Sequence, residues 1–200
     1  MVGRGDLMKV VIADLCGTLI LENTTHGYLA SLPFFPYYVA RNRLLRSRLG
    51  QIANRLAGRD VAREQLIRSL RGWSNEELAE FAQSYVQAAI TEKVSIPVRD
   101  ALLEARRSGS KVYLATSSLQ PIAEAVAHGF TLDGYIATTL EFDRFGCCTG
   151  RILNDVTANK WQTLSERFPE MQSAEITVYT DNPEDTDLKQ VATVFHYLGR

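Results

Sequence analysis

Residues 9–20 read KVVIADLCGTLI, and this stretch decides the fold. Val10, Val11 and Ile12 form an unbroken β-branched run that polar and glycine-bearing residues then end, which predicts a short buried strand. The strand delivers Asp14 to the edge of a sheet, and Gly17 and Thr18 follow in a turn. Taken by itself, Asp14 also fits a strand-end turn acceptor.

Outward from this stretch, KVYLA at 111–115 and EITVY at 175–179 are similar apolar runs, and VATVFHYL near the end supplies a further strand. A helical spacing of Val98, Leu102, Leu103 and Arg106, closed by Gly109, precedes the second run. Helix followed by strand implies an α/β fold, a Rossmann-like and mostly parallel sheet. Between the first two strands the signals are helical. Ser74 and Glu77 form a capping box before Leu78, Phe81, Tyr85 and Val86, and Asp60 caps a helix carrying Val61, Leu66, Ile67 and Leu70. The interval is too long for a simple crossover. The expected organisation is therefore a core of residues 1–21 and 96–200, with a helical cap, residues 22–95, inserted after the first strand. A short ribbon is expected from Tyr135 to Ile152, and a helix through Trp161, Leu164 and Phe168 that Pro169 stops.

Composition narrows the function classes. The chain has 200 residues, 46% of them hydrophobic, enough for one substantial core and a small accessory one and incompatible with a disordered chain. Its 22 Lys and Arg balance 23 Asp and Glu, so net charge exerts no global pull toward polyanions. No zinc module or base-reading motif is present, and no nucleic-acid partner is expected. Cys16, Cys147 and Cys148 cannot make a complete intramolecular disulfide set, which favours a reducing, cytoplasmic setting. The opening carries an early Asp6 and only a short apolar run, unlike a secretory leader. LPFFPYYVA at 32–40 falls far short of the roughly 20 residues that span a bilayer, so no transmembrane segment is expected.

The motif VVIADLCGTLI resembles the nucleophile motif of the haloacid dehalogenase superfamily, in which an aspartate, one intervening residue, a second aspartate, glycine and threonine follow a strand. The resemblance makes Asp14 a nucleophile that attacks phosphorus and carries an aspartyl-phosphate. KVYLATSSLQP resembles the second motif, with Thr116 binding a phosphoryl oxygen, Ser117 and Ser118 beside it, and Pro121 opening the next helix. NDVTANKWQTL offers Lys160 as the lysine of the third motif, neutralising phosphate and nucleophile together. The preceding TGR segment, residues 149–151, is similar to that of the phosphoserine-phosphatase-like branch. TVYTDNPEDTDL resembles the paired acidic fourth motif, with Asp181 as a magnesium ligand. Asp185 is either a further ligand, a residue supporting that position, or a helix cap, with Asn182 and Pro183 opening the helix. The resemblance implies Mg2+ as cofactor, held by Asp14, Asp181, Asp185 and the backbone carbonyl of Cys16. Gly17, Thr18, Ser117 and Ser118 are expected around the substrate. Read alone, Thr116 and Ser118 also fit turn residues, and Lys160 a solvated helix-edge lysine.

Cys16 departs from the pattern, because it stands where the family's second aspartate protonates the leaving group. A thiol, with an ordinary pKa near 8.5, does not reproduce a carboxylate's exchange between acid and base near neutrality. Cys16 is counted here among the catalytic positions, although it also fits an apolar turn. The function implied is magnesium-dependent hydrolysis of a small anionic phosphomonoester. The alternatives are a phosphate-binding regulatory or structural protein that turns over poorly, and a phosphotransferase.

Arg41, Arg43, Arg46, Arg48, Arg55, Arg59, Arg63, Arg68 and Arg71 concentrate positive charge in the insertion. Facing the active-site mouth they attract an anionic substrate; facing outward they solubilise helices. Phe34, Phe35, Tyr37 and Tyr38 read as cap core, or, with the arginines behind them, as an element for peripheral lipid contact. His26, His128 and His196 form no close-spaced metal motif.

Overall fold

The computed structural model describes residues 7–33 and 61–199. A six-stranded sheet lies at its centre. The strands are β1 (Lys9–Ala13), β2 (Lys111–Leu119), β3 (Gly134–Phe142), β4 (Cys148–Asn154), β5 (Glu175–Thr180) and β6 (Val194–Tyr197), in spatial order β4-β3-β2-β1-β5-β6. All neighbours are parallel except β3 and β4. The α/β, Rossmann-like expectation holds.

The apolar run of β1 is covered on both faces, as its composition requires. Val10 and Ile12 point to one side, with Tyr113, Ala115, Ile176 and Val178, and meet Leu164, Met171 and Leu188. Val11 and Ala13 point to the other, with Val112, Leu114 and Ala137. This alternation follows from the period of two along a strand.

Among the described residues, the helices between β1 and β2 are α1 (Thr24–Ser31), α2 (Val61–Arg68), α3 (Asn75–Lys93) and α4 (Ile96–Arg107). The expected capping box starts α3: Ser74 Oγ accepts from Glu77 N, and Glu77 returns a carboxylate to Ser74 N. A helical insertion after the first strand is therefore present. Among the described residues, its apolar side chains build no small separate core of the kind expected from composition. Tyr28, Leu66, Ile67, Leu78, Ala82 and Val86 join the same cluster as the Val11 face of the sheet. The reason is that α3 packs on α5 (Gln120–Gly129), which itself lies on β2 and β3. Tyr28 is buried to the hydroxyl, which donates to the Leu78 carbonyl at 2.8 Å and ties α1 to α3.

The second half departs from expectation at two points. Tyr135 to Ile152 is more than a ribbon: β3 first pairs parallel with β2 and then antiparallel with β4, so one strand serves two partners. Helix α6 (Lys160–Arg167) begins on the predicted lysine, and a short 3-10 helix at Pro169–Ser173 follows it. The last helix, α7 (Thr186–Val191), starts later than the expected Asn182 and Pro183. Asn182 instead closes a turn, its side-chain oxygen accepting from Glu184 N at 3.0 Å.

The predicted cap Asp60, the aromatic run from Phe34 to Tyr38 and the arginines from Arg41 to Arg59 lie outside the described residues. Among the described residues, no helix is long and apolar enough to cross a membrane.

Candidate active site

Parallel sheets place their strand ends, and the loops after them, along one edge. Here β1, β2 and β5 bring Asp14, Thr116 and Asp181 to that edge, and α6 brings Lys160 from below. Asp14 N continues the β1–β5 ladder by one bond, donating to Tyr179 O at 2.9 Å, which fixes the backbone from which the carboxylate projects. Asp14 Oδ1 then accepts from Lys160 Nζ at 3.0 Å.

Lys160 is 1% exposed, although it is the first residue of a helix. A buried ammonium needs partners, and it has two: Asp14, and Asp185 with its Oδ1 at 2.8 Å and Oδ2 at 2.9 Å. Burial alone would lower the lysine pKa, but the two carboxylates hold it above the usual lysine value. The Asp14 pKa is raised as well, but there the shift favours the neutral form. Burial lifts its carboxyl from 3.8 to about 6, against the pull of Lys160 and with a further push from Asp185. Asp14 is thus a carboxylate set in a place that penalises its ionised form.

Asp185 is occupied on both oxygens, since Thr180 Oγ1 donates to Oδ2 at 2.6 Å and Asn182 Nδ2 to Oδ1 at 3.3 Å. It does not cap α7 through its side chain. Asp185 does stand at the N-cap position of α7, its backbone carbonyl accepting from Lys189 N at 3.1 Å, but the ammonium of Lys160 claims the carboxylate that a side-chain cap would have offered to backbone N–H groups.

Gly17 and Thr18 work on Asp181 rather than on the cavity wall. Thr18 Oγ1 donates to Asp181 Oδ1 at 3.1 Å and accepts from Asp181 N at 2.9 Å. Gly17 has φ +72, and a Cβ there would stand 2.1 Å from Asp181 Oδ2. Only glycine lets the carboxylate lie across this turn.

A cavity of about 570 Å³ opens over these groups, lined among others by Asp14, Cys16, Thr116, Ser117, Ser118, Lys160 and Asp181. Of the residues expected from sequence, the structure brings these seven to one space and leaves Gly17, Thr18 and Asp185 behind it. Thr116 Oγ1 accepts from Ser118 N at 3.1 Å, so its own proton remains to be donated elsewhere. The Cys16 thiol lies 3.0 Å from Thr24 Oγ1 and 3.1 Å from Ser118 Oγ, which are themselves 2.6 Å apart. The insertion contributes Asn23, Thr25, His26, Arg63 and Leu66, and the loop before α6 contributes Thr157. Sequence reasoning did not assign these to the site, apart from leaving open the direction of Arg63. A turn followed by a helix start at Asn23 was the available signal for the first three. Arg68 and Arg71 line a different cavity, with Glu141 and Arg151.

Among the described residues, no group of three or more His, Cys, Asp or Glu side chains forms a ready-made metal site. The donors fit a magnesium ion nonetheless. Asp14 and Asp181 both line the cavity, and Asp181 is braced across a glycine cradle that a Cβ would fill, while Asp185, expected as a further ligand, has both oxygens engaged by Lys160. Magnesium characteristically binds through one or two carboxylates, with water and phosphate completing the shell.

The chain belongs to the haloacid dehalogenase-like hydrolases, whose family model matches residues 11–189. No curated protein gives a significant match. Solved structures share the fold at low identity. A protein of unknown function from Bordetella pertussis Tohama I is 18% identical with a TM-score of 0.68, the match covering 86% of this chain and 81% of that one. A HAD family hydrolase from Salmonella enterica serovar Typhi is 18% identical with a TM-score of 0.66, covering 97% of this chain and 64% of that one. A phosphoserine phosphatase in apo form is 14% identical with a TM-score of 0.63, covering 94% and 84%.

Proposed function

We propose that the protein hydrolyses a small anionic phosphomonoester through an aspartyl-phosphate on Asp14, in the manner of the phosphoserine-phosphatase-like branch. The observation that carries this reading is the buried Asp14–Lys160 contact of 3.0 Å, at the floor of a cavity that Thr116 and Asp181 also line. One carboxylate oxygen of Asp14 is bound to Lys160; the other attacks phosphorus. The bond from the Asp14 oxygen to phosphorus forms as the bond to the leaving oxygen breaks, and that oxygen leaves with a proton taken from solvent water. Lys160 stays protonated throughout and balances charge on the phosphoryl oxygens, while the Thr116 hydroxyl donates to one of them. Asp185 holds Lys160 in place, and Thr180 holds Asp185. Water then attacks phosphorus, releasing Asp14 and phosphate. Asp14, Asp181 and the Cys16 carbonyl are the residues that would hold Mg2+, which supplies charge neutralisation for the phosphoryl group.

Cys16 favours a second reading, that of a phosphate-binding protein with little turnover. Its thiol is engaged with Thr24 and Ser118 where the family carries a carboxylic acid. A magnesium-dependent assay across sugar, amino-acid, nucleotide and lipid phosphates, with native protein, D14N and C16D, separates the two. Activity abolished by D14N and raised by C16D is expected. No phosphate release by folded native protein or C16D from any substrate would favour the second reading.

A further inference from the structure

Arg63 lies on α2, in the insertion, yet its guanidinium donates four hydrogen bonds to the core. Nη1 donates to Asp155 Oδ2 at 2.6 Å and to Thr157 Oγ1 at 3.2 Å. Nη2 donates to the Ser117 carbonyl at 3.1 Å and to Thr138 Oγ1 at 2.8 Å. These acceptors are not scattered. Between Ala115 and Leu119 the β2–β3 ladder shifts register, and Ser117 sits inside that gap, immediately after Thr116. A carbonyl in such a gap needs a donor from outside the sheet, and Arg63 provides it.

Asp155 and Thr157 belong to the turn that leads into Lys160. Asp155 Oδ1 accepts from Thr157 N at 3.0 Å and from Thr157 Oγ1 at 2.5 Å, and Asn159 N closes the turn on Val156 O at 3.2 Å. One guanidinium therefore grips, from the insertion, the strand segment carrying Thr116 and the turn carrying Lys160. Its charge is already answered by Asp155, so it is poorly placed to serve as an anion receptor for the leaving group.

We propose that Arg63 is a positioning residue, whose fork couples the seating of α2 to the placement of Thr116 and Lys160 around the phosphoryl group. The inference rests on the phosphatase reading for its kinetic consequence, but its structural part stands apart from it. With α2 seated, the Ser117 gap and the Asp155–Thr157 turn are both braced. With α2 lifted, Ser117 O and Asp155 lose a donor together, and both phosphate-facing groups loosen. A planar fork with paired nitrogens suits this task and a single ammonium does not.

The test compares native protein, R63A, R63K and D155N by kcat and KM on a phosphomonoester that the native protein turns over, and by amide hydrogen exchange at residues 116–118 and 155–160. R63A is expected to lower kcat on the order of 100-fold, the scale of a misplacement of about 1 Å, and to speed exchange in both segments with little change in thermal midpoint. R63K should resemble R63A despite keeping the charge, and D155N should fall between R63A and native. Unchanged kcat with a raised KM in R63A would overturn the proposal in favour of direct substrate binding, as would full rescue by R63K. If the native protein turns over no phosphomonoester, the phosphatase reading fails alone; exchange still decides, and unchanged exchange in both segments of R63A and D155N would overturn the coupling.

Discussion

Replacing Asp14 by Asn should make the protein's stability less dependent on pH, in a direction that the site's burial dictates. The Asp14 carboxyl titrates at about 6 in the folded chain and near 3.8 when exposed, mainly because burial disfavours its charge. A raised folded pKa means that the folded state holds the proton more tightly. The resulting stabilisation is fully present below 3.8 and is lost as pH rises through about 6. At pH 5 the folded carboxyl is mostly protonated and the unfolded one mostly ionised. The pH unit between 5 and about 6 then corresponds to stabilisation on the order of 1 kcal/mol, which has vanished by pH 8. D14N carries no such titration. The difference in unfolding free energy between native and D14N should therefore shift by on the order of 1 kcal/mol between pH 5 and pH 8, native losing ground as pH rises. Urea denaturation of both proteins at the two pH values, in chelator-treated buffer, measures it. A difference that stays constant, or moves in native's favour at pH 8, would refute the claim that ionised Asp14 is held against the preference of its surroundings. On the proposed mechanism the same titration should make turnover fall as pH drops through about 6, because only ionised Asp14 can attack.

Two further outcomes follow from the buried cluster. Lys160→Met removes the only ammonium between two buried carboxylates and should destabilise the fold by about 3–5 kcal/mol, the range for breaking a buried pair; chemical denaturation checks this, and stability equal to native would contradict it. Gly17→Ala drives a Cβ into Asp181 at a positive φ. It should weaken magnesium binding more than it weakens the fold: magnesium is expected to raise the thermal midpoint of native protein and not that of the variant.

Much of the fold was legible because a strand buried on both faces leaves an unbroken apolar run, as at Val10 to Ile12, and because Ser74 and Glu77 announce a helix start. The change of partner along β3 was not legible, since a period of two says which way side chains point and nothing about which strand lies alongside. The convergence of Asp14, Thr116, Lys160 and Asp181 followed from the order of the motifs. The task of Asp185 did not: an acid in the sequence NPED looks like a cap until a buried lysine is seen to take both of its oxygens. Arg63 was hidden among nine arginines of the insertion. Its significance depends on a break in a ladder more than 50 residues away, which local patterning does not reveal.

The most direct test of the account is to trap the covalent state. Native protein incubated with magnesium and a radiolabelled phosphomonoester, then quenched in acid within the turnover time and digested, should yield label on the peptide containing Asp14. The label should be released by hydroxylamine, as an acyl phosphate is, and be absent from D14N. Turnover without any label at Asp14, or label on a different side chain such as Cys16 or His26, would contradict the central claim.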